Sequence, residues 1–235
     1  MTTFFAVLSF ILGAFIGSFL SVIIYRVHEK KKGILLSRSI CPECGKKLKF
    51  RHLIPIFSWI FLQGKCAYCG KKISSHYLML ELITGLLFLA SFLTWNFLEA
   101  VPSIVDPTVI HYSVNWKIFE IFIFYLIELT LLIGIFFYDL LYREIPDRLS
   151  IPAIAVAIAG GLIFGIVSPL NMLIGGGGIF LFFLLQFLLS GGKWIGGGDL
   201  RLGALTGILL GWKLGLIALI IAYVLGAIIS LILLA

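Results

Sequence analysis

Gly191-Gly-Lys-Trp-Ile-Gly-Gly-Gly-Asp199 lies between two apolar runs, residues 170–190 and 200–212. Both runs are apolar enough to lie in a membrane, so the sequence places Asp199 at a membrane boundary. A carboxylate is costly there, and an ionisable group at that depth marks a functional site. A second acid, Asp139, follows another apolar run, residues 118–138. Two carboxylates at one membrane face can share a proton, which is the requirement of aspartic-type hydrolysis.

The rest of the composition agrees with a membrane setting. Of 235 residues, 61% are hydrophobic and only 12% charged, and the mean hydropathy is +1.14. A soluble domain of this length does not have that composition. The net charge of +7 is concentrated in one segment: twelve of the 18 Lys and Arg residues fall within residues 26–72, with Glu29 and Glu43 as the acids, a local net of +10. Beside membrane spans, such a loop reads as cytoplasmic and facing anionic lipid, not as a nucleic-acid site.

Residues 3–25 form a first span with Arg26 directly after it and no basic residue before it. A cleaved signal has the opposite charge order. The N-terminus is therefore expected outside and the basic loop inside. Further spans are expected at 77–98, 118–138, 150–167, 170–190, a short one at 199–212, and 213–235, with an outer loop over 99–117. The fold class is an all-α polytopic membrane protein of about seven transmembrane helices, with a small zinc-bound cytoplasmic loop domain after the first helix. Counting sides along these spans puts Asp139 and Asp199 at one face, the cytoplasmic one.

All four cysteines lie in the basic loop, as Cys41-Pro-Glu-Cys44 and Cys66-Ala-Tyr-Cys69, each followed by Gly and two lysines and separated by 21 residues. This doubled C-x-x-C-G-K-K is expected to hold zinc with four thiolates, a closed and structural site. Two disulfides or redox chemistry are the competing readings; a cytoplasmic loop disfavours the first, and the lack of a βαβ setting disfavours the second.

The carboxylates have simpler readings too. Asp199 suits the N-cap of the helix it opens. An acid at the end of an apolar helix, as at Asp139, opposes the helix dipole and needs another reason. Asp147 is read as a capping or substrate-positioning acid, and Lys193 and Arg201 as neighbours of Asp199 or as topology charges. Gly196 and Gly198 allow close approach of a substrate backbone. Glu81, a turn into the second span and near the cysteine loop, is a further contact candidate, whereas Glu120 and Glu128 have no nameable partner. The run 175–178 of four glycines reads as a helix-packing face.

Several segments together resemble one family, the bacterial type IV prepilin peptidases, membrane aspartic proteases of the G-x-G-D type. The carriers are Gly17-Ser-Phe-Leu-Ser-Val-Ile-Ile-Tyr-Arg26, with Ser21 where Asn is usual; the four cysteines with Ile54-Pro55 and Ser58-Trp59 between them; Tyr77 and Glu81, with Leu78 in place of a usual Pro; Asp139-Leu-Leu-Tyr-Arg-Glu-Ile-Pro-Asp147; and Lys193-Trp-Ile-Gly-Gly-Gly-Asp199-Leu-Arg-Leu202. The resemblance implies cleavage of prepilin and pseudopilin leaders at the inner membrane by Asp139 and Asp199. It also implies N-methylation of the new terminus with S-adenosylmethionine. It divides the chain into a first helix (1–25), a methyltransferase-associated zinc loop (26–76) and a protease domain (77–235). The family pattern continues through an eighth helix, so the resemblance implies that this chain lacks a final helix. Presenilin-type or signal-peptide-peptidase-type proteases, and a non-enzymatic assembly or transport protein, are the alternatives. Nothing in the sequence sets an oligomeric state.

Overall fold

The computed structural model describes residues 2–30, 39–95, 98–102 and 110–234. The elements are α1 (Thr2–His28), a short α2 (Phe57–Phe61), α3 (Ser75–Thr94), β1 (Leu98–Pro102), β2 (Ile110–Val114), α4 (Trp116–Tyr142), α5 (Asp147–Phe164), α6 (Pro169–Ser190) and α7 (Gly197–Leu234). Six of these helices are long and apolar enough to cross a membrane, as the hydropathy implies. The chain divides into two compact units, residues 1–137 and 138–235.

In the first unit, α1 and α3 are antiparallel and meet at glycines. A Cβ on Gly13 would lie 2.7 Å from the Thr84 carbonyl oxygen, and one on Gly17 would lie 2.8 Å from Glu81 Cα. The Ser9 hydroxyl donates to the Phe88 carbonyl oxygen at 3.0 Å. Small residues at a membrane helix interface let backbones touch and gain dispersion where the hydrophobic effect cannot act. The N-terminal half of α4 adds Phe122 and Leu126 against Phe88. The expected outer loop is corrected in part: β1 and β2 pair antiparallel, from Leu98 opposite Val114 to Pro102 opposite Ile110. The pairing satisfies backbone groups, and Pro102 sits at the strand end, where its missing donor is tolerated. Asp106 and Pro107 lie outside the described residues.

The second unit is built on α7. As one straight helix, its 38 residues would extend about 57 Å, far beyond a hydrocarbon core of about 30 Å. It is not straight. Gly211 has φ 71° and ψ −179°, a region open only to glycine. A Cβ on Gly215 would lie 3.3 Å from Gly207 Cα, whereas eight residues along a helix span about 12 Å. The chain reverses at Gly211, so α7 is a hairpin of two helical arms. The short sixth span and the seventh expected from sequence are therefore both present, divided at Gly211, just before the expected 212/213 boundary. The first arm runs antiparallel to α6 and parallel to α5. Gly175 and Gly176 form the expected packing face against Gly207 and Ile208, while Gly177 and Gly178 face open space.

Candidate functional site

Two motif segments come together in the second unit. The first begins in the last turn of α4, which runs to Tyr142, one turn past the expected end. The Arg143 N–H donates to the Asp139 carbonyl oxygen at 2.7 Å, and Arg143 takes the left-handed conformation with φ 57°. Pro146 disfavours helix at the residue before it, so α4 stops and α5 restarts at Asp147, with Pro146 as its N-cap. Asp139 is exposed on this last turn.

The second segment is the glycine run. Gly196 is the residue before α7, which puts Asp199 at the third helical position rather than at the N-cap expected above. Its Oδ2 accepts the Gly196 N–H at 2.9 Å, the backward half of a capping box. An acid is favoured in this first turn because the helix dipole and open N–H groups lie there. Asp199 is half-buried.

The segments touch through Ile145 and Gly198. A Cβ on Gly198 would lie 2.5 Å from Ile145 Cβ, whereas Gly197 faces open space. Beside this contact, Arg201 forms an ion pair with Asp147. Arg201, read from sequence as a neighbour of Asp199 or as a topology charge, is thus engaged by Asp147. Lys193 is exposed ahead of the helix. The Ile145 contact was not legible in sequence, since Ile145 and Gly198 are 53 positions apart.

The first unit carries the thiol cluster. Each C-x-x-C turns as a knuckle: Gly45 and Gly70 donate to the carbonyl oxygens of Cys41 and Cys66 at 2.9 and 3.0 Å, with φ values of 67° and 69°. The knuckles are tied to one another by the Lys71–Glu43 ion pair and by Lys46 Nζ, 5.5 Å above the Tyr68 ring. All four Sγ atoms lie within 4.8 Å of one another, and none is in a disulfide. N–H groups of Tyr68 and Cys69 pull the Cys66 thiol down to about 7. Four thiols so gathered fit a tetrahedral metal, whose sulfurs lie about 2.3 Å from it.

Glu81 is buried in α3, and its Oε2 accepts the Ile56 N–H at 2.7 Å, joining the loop to the helix pair. Glu128 is also buried, and its carboxylate oxygens have no hydrogen-bond partner among the described residues. Glu120 is exposed.

The fold and these sites define a polytopic helical membrane protein with a four-thiol loop and two carboxylate-bearing helix ends. Residues 11–95 match the profile of the bacterial peptidase A24 N-terminal domain, and residues 123–231 match that of the type IV leader peptidase family. A relative from Bacillus subtilis (strain 168), named prepilin leader peptidase/N-methyltransferase, is 31% identical over 93% of this chain and 79% of its own length. Relatives of the same name from Myxococcus xanthus (strain DK1622) and Aeromonas hydrophila are 32% and 29% identical over 98% and 94% of this chain. The chain spans 63% of the length of the first and 78% of the second. No solved structure matches. The chain belongs to the type IV leader peptidase family, as a multi-pass protein of the inner membrane.

Proposed function

We propose that this chain removes the basic leaders of type IV prepilins and pseudopilins and then N-methylates the new terminal residue. Asp139 and Asp199 are the peptidase pair. The observation that supports this most directly is the seating of Ile145 on Gly198, which holds the Asp139–Asp147 segment against the turn that opens on Asp199. One carboxylate, ionised, takes a proton from water. The other, protonated, polarises the scissile carbonyl and then protonates the leaving amine. No covalent intermediate is required. Gly196, where an added Cβ would meet nothing nearer than 3.5 Å, leaves room for an extended peptide beside the acids, whereas the expected room at Gly198 is filled by Ile145; Lys193 and Asp147 position the peptide.

The residues 26–76 form the loop associated with methyl transfer, and 77–235 form the protease. Cys41, Cys44, Cys66 and Cys69 hold a structural zinc, which folds a loop too small for its own core. S-adenosylmethionine supplies the methyl group. The loop and both aspartates face the cytoplasm, with the N-terminus outside.

The test is cleavage of a purified prepilin by single variants in lipid. Asp139→Asn and Asp199→Asn should each abolish leader removal while expression and zinc content persist. Wild-type cleavage by either variant overturns the assignment of the pair. Retained function of both variants in pilus assembly would instead favour a scaffold.

A further inference from the structure

The first unit contains a cavity lined by neither proposed catalytic aspartate. Its volume is about 610 Å³, within the range of about 300–1,000 Å³ usual for small-molecule sites. α1 contributes Ser21 and Tyr25, the cysteine loop contributes His52 and Trp59, and α3 contributes Tyr77 and Glu81.

Glu81 is fixed from two sides. Its Oε2 accepts the Ile56 N–H at 2.7 Å, and Ser18 of α1 lies beside the same carboxylate. Gly17 brings the α1 backbone directly against Glu81 Cα. Ile56 has φ 65°, a conformation rare for a β-branched residue, costing about 1–3 kcal/mol. The loop is thus bent over the helix pair at a strained residue held by a carboxylate of α3. Such strain clusters at ligand clamps.

The wall carries the cations Arg26, Lys47, Lys71 and Lys72 and two acids. Its acids among the described residues are Glu43 and Glu81, and Glu43 is engaged by Lys71. The wall also has unused polar capacity. The Trp59 indole N–H and His52 Nδ1 have no hydrogen-bond partner among the described residues. The Arg51 Nε–H donates to His52 Nε2 at 3.2 Å, so Nδ1 carries the proton of the neutral ring.

We propose that this cavity seats the methyl donor, a nucleoside sulfonium cation, with Glu81 as the carboxylate that faces its positive charge. The assignment rests on the methyl-transfer reading above. The rings of Tyr25, Trp59 and Tyr77 suit a flat purine and a cation. The N–H groups of Trp59 and His52 suit purine nitrogens or a carboxylate as acceptors. Ser21 lies where a larger side chain would fill the space.

The test is equilibrium dialysis of radiolabelled S-adenosylmethionine against the full chain in nanodiscs, with zinc content measured on each sample. Glu81→Gln and Ser21→Trp should each weaken binding about tenfold or more while zinc is retained. If Glu81→Gln loses zinc, Ser21→Trp decides. A photoreactive azido-adenosyl analogue should label residues 18–26, 39–62 or 73–81. Wild-type affinity in both variants, or labelling confined to residues 138–235, overturns the placement and leaves the methyl-transfer reading standing. No donor binding by the unmodified chain removes both.

Discussion

On the proposed mechanism, Asp199 serves fold and chemistry together. Its Oδ2 closes the turn that starts α7 by accepting the Gly196 N–H, and the same turn rests on Ile145 through Gly198. Replacing Asp199 or Asp139 by Asn keeps the shape and removes the acid–base group, so leader cleavage should fall by at least about 100-fold in a gel-shift assay of prepilin. Gly198→Ala tests the contact itself. Its methyl overlaps Ile145, an overpacking worth about 1–3 kcal/mol, and cleavage should drop about tenfold through misplacement of Asp199. Gly197→Ala, which meets nothing within 4 Å, should cleave at the wild-type rate. Equal rates for the two alanine variants would remove the contact from the argument. Asp147→Asn should be milder than either aspartate change. Its side chain is 62% exposed, and exposed ion pairs contribute about 0–1 kcal/mol.

At the scale of elements, the two knuckles and the α7 hairpin each depend on glycine at positive φ. The knuckles are local, and a metal held by their four thiols would stabilise them. Purified protein should contain about one zinc per chain, and Cys→Ser at any of the four positions should release it, as read by metal analysis. Stoichiometric disulfides in a freshly alkylated sample would contradict this. The hairpin depends instead on Gly211, where φ is 71° and a Cβ would press to 3.3 Å from Val167. Gly211→Ala should cost about 1–3 kcal/mol and lower the unfolding temperature of the detergent-solubilised chain, with zinc content unchanged. An unchanged melting point would mean that the reversal does not need glycine.

For the whole molecule, the charge asymmetry sets the orientation prediction. The basic excess within residues 26–72 should hold the loop in the cytoplasm. A reporter fused within residues 46–72 should read inside and one within 102–112 outside. The same side for both would break the alternation on which a shared face for Asp139 and Asp199 depends.

Several features were determined by the sequence alone because they are local. Apolar run lengths set the spans, the C-x-x-C-G-K-K repeat set the thiol cluster, and the segment from Asp139 to Pro146 contains its own helix stop. The Lys213 charge also came within two residues of the true break in α7. Tertiary structure alone decided what depends on distant segments meeting. It gave Arg201 to Asp147 rather than to Asp199, seated Ile145 on Gly198, and fastened the strained Ile56 to Glu81. It also paired β1 with β2, where no tight-turn signal marks a hairpin. Such contacts are fixed by which helices approach closely, and the glycines that permit that approach carry no side chain to announce their partners.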